Sequence, residues 1–401
     1  MNRIRFRCGS PVTALNKTAG RSRLGPDQMS IKESAANGGV ARMPRRRRLV
    51  SWRFAKGRGP AIHLSPVQAR YVDDVDRRIR SGAYHLEHGA CVCGTHAGAI
   101  IAQVDRYGIA LDTVLCAACG TLRFDPYLAP ESLAEFYRFR YQQMYARAPD
   151  PDTYFARQRL YGRRLLEGLR NDLPKGAVVA EVGCGAGGAL AVFAEAGYAT
   201  YGCDYSAELV TQGSNRGVEN LVVGDVNALI ERLAQSRRKA DLVFLHHVFE
   251  HVGAPADWLV RAKEMLSERG FIVVAVPDVT AIHRYPSPDG DLRNFVHIAH
   301  KFNFSAKGLA ALAAAAGLHA SYAGVQKSDQ APEMWVSFSR KPATSPDVVD
   351  FGATDACALF RYLRATELAW LRRGVRRRLV RSLDACALAI RRVLPNRHSS
   401  G

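Results

Sequence analysis

Residues 181–188 read EVGCGAGG. The glycines overlap in two registers: Gly183, Gly185 and Gly188 follow G-x-G-x-x-G, while Glu181, Gly183, Gly185 and Gly187 follow E-x-G-x-G-x-G. Either register suits a tight turn where backbone and ligand approach closely, because glycine carries no Cβ to obstruct it. The flanks define the kind of turn. AVVAEV leads in as a short apolar run, and GALAVFAEAG leads out as a helical one. The alternation then repeats through ATYGCD, SAELVTQGS, NLVVGD, VNALIERLAQ, ADLVFLHH, PADWLVRAKEMLSE and GFIVVAVPD. Continuous apolar strands alternating with helices predict an α/β fold, a parallel sheet covered on both faces. In such a sheet the ligand sits beyond the carboxyl ends of the strands, at the turn the octapeptide occupies.

Glu181 bears on which ligand that is. A carboxylate at the mouth of the turn would face the pyrophosphate of a dinucleotide, which the helix N-terminus is there to attract. A ligand with a sulfonium and an α-ammonium, and no phosphate, instead gains from the acid. Asp204 closes the next strand 23 residues after Glu181, where an acid can accept from ribose hydroxyls in either ligand class. Asp225 closes VVGD, placed to accept from an adenine amino group while the Val226 backbone addresses the ring. LVFLHHVFEHV then gathers His246, His247, Glu250 and His251 after the fourth strand.

These motifs, in this order over about 177–340, resemble the class I S-adenosylmethionine-dependent methyltransferases. The resemblance implies a Rossmann-like, doubly wound, seven-stranded, mostly parallel sheet over 176–340, with S-adenosyl-L-methionine as methyl donor. It gives Glu181, Gly183, Cys184, Gly185 and Gly187 to the methionine portion, Asp204 to the ribose, and Asp225 with Val226 to the adenine. Tyr205, next to Asp204, joins this cofactor set. Methyl transfer from a sulfonium is an in-line displacement with a good leaving group, so the protein must position the reactants and take a proton. His247, Glu250 and His251 are the candidates for that work, with Glu250 holding an imidazole in its basic tautomer. His297 and His300 in FVHIAHKFNFS could face the same cleft. The rival NAD-dependent oxidoreductase rests on Gly183, Gly185 and Gly188 and is opposed by Glu181.

Four of the nine cysteines pair up, as Cys91 with Cys93 in CVCG and Cys116 with Cys119 in CAACG. Without a secretory signal, such knuckles suggest metal thiolates rather than disulfides, and zinc is the expected ion. His88 or His96 could stand in for one of the first pair. A zinc-ribbon-like module over 85–125, a helical linker or lid over 126–175 carrying Tyr141 and Tyr145, and then the donor fold are similar to bacterial sugar C-methyltransferases. The resemblance implies a small-molecule acceptor, a sugar or polysaccharide precursor. The C-terminal part departs from that group, being a short basic helical segment over 350–395.

The net charge of +19 sits at the ends. Residues 1–60 hold 15 Lys and Arg against 2 Asp and Glu, and residues 361–401 hold 11 against 2, leaving the body near neutral. The N-terminal run, with RRRR at 45–48, reads as a solvated, disordered tail. Basic ends could touch nucleic acid or an anionic membrane surface, which admits a nucleic-acid-binding protein or nucleic-acid methyltransferase as a further reading. No run of about 18 uncharged apolar residues occurs, so a cytoplasmic, non-spanning protein is expected.

Overall fold

A computed structural model describes residues 46–145, 150–284, 291–323, 325, 332–342 and 356–393, with the side chains of Arg46, Tyr145, Arg284 and 375–393 excepted. The chain enters through β1 (Arg46–Arg47) and a 3-10 turn at Trp52–Phe54, then forms α1 (Pro66–Ser81). Ser65 and Gln68 close a capping box at the start of α1, with Pro66 at its first position. Next come β2 (Leu86–Glu87), β3 (Gly98–Ala102), β4 (Thr113–Cys116), β5 (Leu122–Phe124) and β6 (Tyr127–Leu128). Then α2 (Pro130–Phe136) runs through a π-helical turn at Tyr137–Tyr141 into α3 (Gln142–Tyr145), and α4 (Pro151–Leu169) follows.

The basic tail expected over 1–60 needs correction from residue 46 onward. Arg46 and Arg47 pair in parallel with Ala99 and Ile100, and Val50 and Phe54 are buried in the core of the module. Two apolar anchors four residues apart tie the strand down. Between them Arg53 is held by the carboxylates of Glu367 and Asp291, at 3.1 and 2.5 Å. Residues 1–45 lie outside the described residues.

The donor fold follows as β7 (Val178–Val182), α5 (Gly188–Glu195), β8 (Ala199–Asp204), α6 (Ala207–Asn215), β9 (Leu221–Val223), α7 (Val226–Gln235), β10 (Ala240–His246), α8 (Pro255–Met265) and β11 (Leu266–Pro277). It closes with β12 (Phe302–Asn303), α9 (Ala306–Ala315), β13 (His319–Tyr322) and β14 (Glu333–Ser339), before the long α10 (Ala356–Val393). Seven strands lie in the order β13-β14-β11-β10-β7-β8-β9, all parallel except β14, which runs antiparallel to both neighbours. Every residue of β7 is buried, as expected of a central strand covered on both faces. The order reverses between β7 and β10, and the crevice beyond their carboxyl ends is where such a sheet receives its ligand.

β12 does not join that sheet. It pairs antiparallel with β5, completing a second sheet ordered β1-β3-β4-β5-β12. The cysteine module is thus larger than 85–125 and borrows a strand from the donor fold. Leu359, Phe360 and Leu363 of α10 are buried in the same module. Among the described residues, no helix is long and apolar enough to cross a membrane.

Candidate active site

The octapeptide is the turn between β7 and α5. Gly183, Gly185 and Gly187 have φ of 71°, 55° and 71°, a left-handed backbone open to glycine and costly to other residues. Amides of Gly183 and Cys184 both donate to Cys203 O, at 2.8 and 2.9 Å, tying the loop to β8. The Gly185 amide donates to Asp204 Oδ2 and the Ser206 amide to Asp204 Oδ1, each at 2.8 Å. Asp204 therefore braces the loop while remaining partly exposed at the crevice. Cys184 is buried beneath the loop, and burial pushes its thiol well up.

One face of α4 lies over this loop. A Cβ on Gly185 would meet Tyr154 Oη at 2.5 Å and Gln158 Nε2 at 2.6 Å. Gln158 is buried, donates to Cys184 O at 2.7 Å and accepts from the Gly188 amide at 3.2 Å. Gly162 allows this close approach, since a Cβ there would stand 2.7 Å from Ala189 Cα of α5. One turn beyond Gln158, the Tyr161 hydroxyl donates to Glu181 Oε1. Glu181 is fully buried, and burial pushes its carboxyl well above the usual range. Its Oε2 has no hydrogen-bond partner among the described residues.

Asp225 caps α7, accepting from the Asn227 amide at 2.9 Å, and Val226 is buried. Tyr205 stands 80% exposed beside Asp204. These residues and the glycine loop line the same edge of the sheet, at the ends of β7, β8 and β9.

Beyond β10 the expected histidines form a larger cluster, with His246, His247 and His251 half-buried and Glu250, His297 and His300 buried. His247 has φ of 55° and donates its amide to Ala275 O at 3.0 Å. Its Nδ1 lies 3.3 Å from Glu250 Oε1 and its Nε2 lies 3.2 Å from Glu333 Oε1. Burial works against the charged ring, but the two carboxylates override it and raise His247 to about 10. Burial likewise raises Glu250, and the His247 bond reverses this, holding it at about 2. Glu333 falls below the usual carboxylate range, with the His246 and His247 bonds outweighing burial. This geometry holds His247 as an imidazolium between two carboxylates.

His251 differs. Its Nδ1 lies 2.9 Å from both Tyr137 Oη and Ala299 O, while the Tyr137 hydroxyl donates to the same carbonyl at 2.9 Å. Burial lowers its pKa, and a proton on Nδ1 directed at Ala299 O leaves the Nε2 lone pair free. His300 packs against His251 with ring centroids 4.7 Å apart and brings Nε2 to 3.9 Å from Glu250 Oε1. His297 lies against His300 with ring centroids 3.6 Å apart and planes tilted by 48°, so both histidines of FVHIAHKFNFS border this cluster. Glu250 Oε2 and His300 Nδ1 are buried without partners among the described residues. Tyr141 packs 5.8 Å from the His251 ring, and the Tyr145 side chain lies outside the described residues.

Sequence reasoning missed Gln158, Tyr161, Tyr137 and Glu333. The signal for the first two was present as polar and aromatic residues three and four apart on α4. For Glu333 it was an acid opening the otherwise apolar run EMWVSFS.

Away from this crevice, Cys91, Cys93, Cys116 and Cys119 converge, with all four Sγ atoms within 4.8 Å of one another and no disulfide formed. Cys91 Sγ to Cys119 Sγ and Cys93 Sγ to Cys116 Sγ are each 3.6 Å. A tetrahedron with metal–sulfur bonds of about 2.3 Å has edges of about 3.8 Å, so the thiols fit a tetrahedral ion. His88 faces Asp125 instead, at 2.5 Å, and His96 offers its carbonyl to Arg123.

Residues 154–321 match a family model described as a methyltransferase domain. The C-methyltransferase NovU of Streptomyces niveus is 26% identical over 185 residues, which is 45% of this chain and 42% of that protein. The chain thus matches less than half the length of this curated relative. Among solved structures, the 1,6-didemethyltoxoflavin-N1-methyltransferase of Burkholderia thailandensis covers 57% of this chain and 93% of its own, at 18% identity and a TM-score of 0.38. The plantazolicin methyltransferase BamL covers 53% and 92%, at 15% identity and a TM-score of 0.37. The matched stretch holds the glycine turn and most of the seven-stranded sheet, and it covers less than half of this chain.

Proposed function

We propose that the chain is an S-adenosylmethionine-dependent methyltransferase acting on a small molecule, with a sugar or polysaccharide precursor as the leading acceptor. The observation that carries this is Glu181, a buried carboxylate at the switch point with one oxygen unpartnered, on the glycine loop of a domain matched to methyltransferases. An orphaned buried acceptor of this kind suits an ammonium group. When bound, the donor supplies an electrophilic methyl group on a sulfonium.

The chain's residues do the rest. Glu181 receives the ammonium, Asp204 the ribose hydroxyls, Tyr205 a face of the adenine, and Asp225 with the Val226 backbone its edge. Gly183, Cys184, Gly185 and Gly187 form the wall against the methionine portion. His251 is the proton acceptor, through Nε2, while Ala299 O and Tyr137 hold its tautomer. His247, kept protonated by Glu250 and Glu333, fixes the two carboxylates and presents a positive group to charge developing on the acceptor. The similarity to a C-methyltransferase supports a carbon nucleophile, which makes removal of a carbon-bound proton the task of His251. Cys91, Cys93, Cys116 and Cys119 would hold one structural zinc.

The test uses methyl-labelled donor and cell extract, with products separated into sugars, lipids, small molecules, protein and RNA. Label is expected in a small-molecule or sugar fraction, and His251→Asn should lower transfer by about 10²–10⁴-fold. Protein that ignores the donor at millimolar concentration sinks the reading, and label in RNA would replace the acceptor with nucleic acid.

A further inference from the structure

We propose that Tyr161 is a positioning residue for the amino-acid end of the donor, its hydroxyl occupying Glu181 Oε1 so that Oε2 is left aimed at the α-ammonium. The inference deepens the reading above and rests on it. A tyrosine hydroxyl has one proton to give, and here it is spent on Oε1. Oε2 therefore needs a different donor, and the buried surroundings offer none among the described residues. An ammonium brings three N–H groups and a positive charge, and the charge reverses the push that burial exerts on the carboxyl.

The tyrosine is locked in place on every side that matters. Its ring stacks on His246 with centroids 3.9 Å apart and planes 19° from parallel. One turn earlier in α4, Gln158 bridges Cys184 O and the Gly188 amide, which bonds the helix to the glycine loop. One residue later, Gly162 sits flush on α5 at Ala189. Glu181 is fixed in β7, opposite Gly202 of β8 and Phe244 of β10. Neither partner of the Tyr161–Glu181 bond is free to swing, so the free oxygen has one direction.

Two nucleosides separate this role from general support of the fold. S-Adenosylhomocysteine carries the α-ammonium, and 5′-methylthioadenosine has the same adenosine and sulfur without it. Calorimetric titration of the full chain with each should find Tyr161→Phe, which keeps the ring stack, about tenfold or more weaker for S-adenosylhomocysteine. Its affinity for 5′-methylthioadenosine should be unchanged. Glu181→Gln should give the same selective loss, and the double variant should lose little more than either single one. Equal losses for both nucleosides, or no loss for either, overturn the inference. Should Tyr161→Phe fail to fold, Tyr161→Leu, which likewise lacks the hydroxyl, is read on the same criterion. Wild-type protein that binds neither nucleoside overturns the donor reading itself. Wild-type binding of both, with indiscriminate variants, overturns only the part given to Tyr161.

Discussion

At the level of single residues, His247 is where the sequence reading and the geometry diverge most usefully. A left-handed backbone costs a residue with a side chain about 1–2 kcal/mol, and His247 adopts it at φ 55°. In return each ring nitrogen meets a carboxylate, Glu250 on one side and Glu333 on the other. Replacing Glu333 by Gln removes one of these charges. The His247 pKa, followed by NMR titration of its ring, should then fall from about 10 by about 1 unit or more. An unchanged titration would mean that Glu250 alone holds the proton. His247 and Glu250 could be paired from sequence because they lie three positions apart. Glu333 could not, lying 86 positions from His247 at the start of a strand whose direction apolar content leaves open. Because β14 runs antiparallel, its first residue pairs with Pro277 at the carboxyl end of β11, beside the crevice. A mostly parallel sheet was legible, and which strand reversed was not.

At the level of elements, the alternation of apolar and helical runs from 177 onward made the donor fold readable, since the central strands β7, β10 and β11 are largely buried and helices alternate with the strands. The two-residue strand β12 left no such trace. Its Phe302 and Asn303 pair with Arg123 and Leu122, and two residues later Ser305 donates to Cys119 O at 2.6 Å while capping α9. The cysteine knuckle is thereby stitched to the segment that carries His297 and His300. Arg46 and Arg47 were misread for a related reason, because two arginines inside a basic run gain order through pairing with β3 and through Val50 and Phe54, which are buried just after them. This stitching has a measurable consequence. If the four thiols hold zinc, stripping it with a chelator should raise amide hydrogen exchange in 116–121 and also in 297–305. Exchange in β10 should stay as it was. Faster exchange confined to the knuckle would show that the two segments are not coupled.

Over the whole molecule, the buried titratable groups set how stability varies with pH. Burial lowers His246, His251, His297 and His300, the last two far below their ordinary value. Below about pH 6.5 the unfolded chain binds protons at these four positions that the folded chain refuses, so stability falls as pH drops. Asp105, pushed up to about 6 by burial, and Glu181, Asp204 and Glu367, also raised by burial, act in the opposite sense and offset part of this. His247 is raised to about 10, so its contribution is complete below 6.5 and is lost as pH climbs from 6.5 to 10. Four histidines thus stand against four carboxyls on the acid side, whereas on the alkaline side loss of the His247 proton gives net proton release on unfolding. The urea midpoint should therefore decline as pH climbs from 6.5 to 8. His300→Gln should leave this decline unchanged, whereas Glu333→Gln should flatten it. A midpoint constant between pH 6.5 and 8 would mean that His247 gains no more from its two carboxylates in the folded protein than it does unfolded.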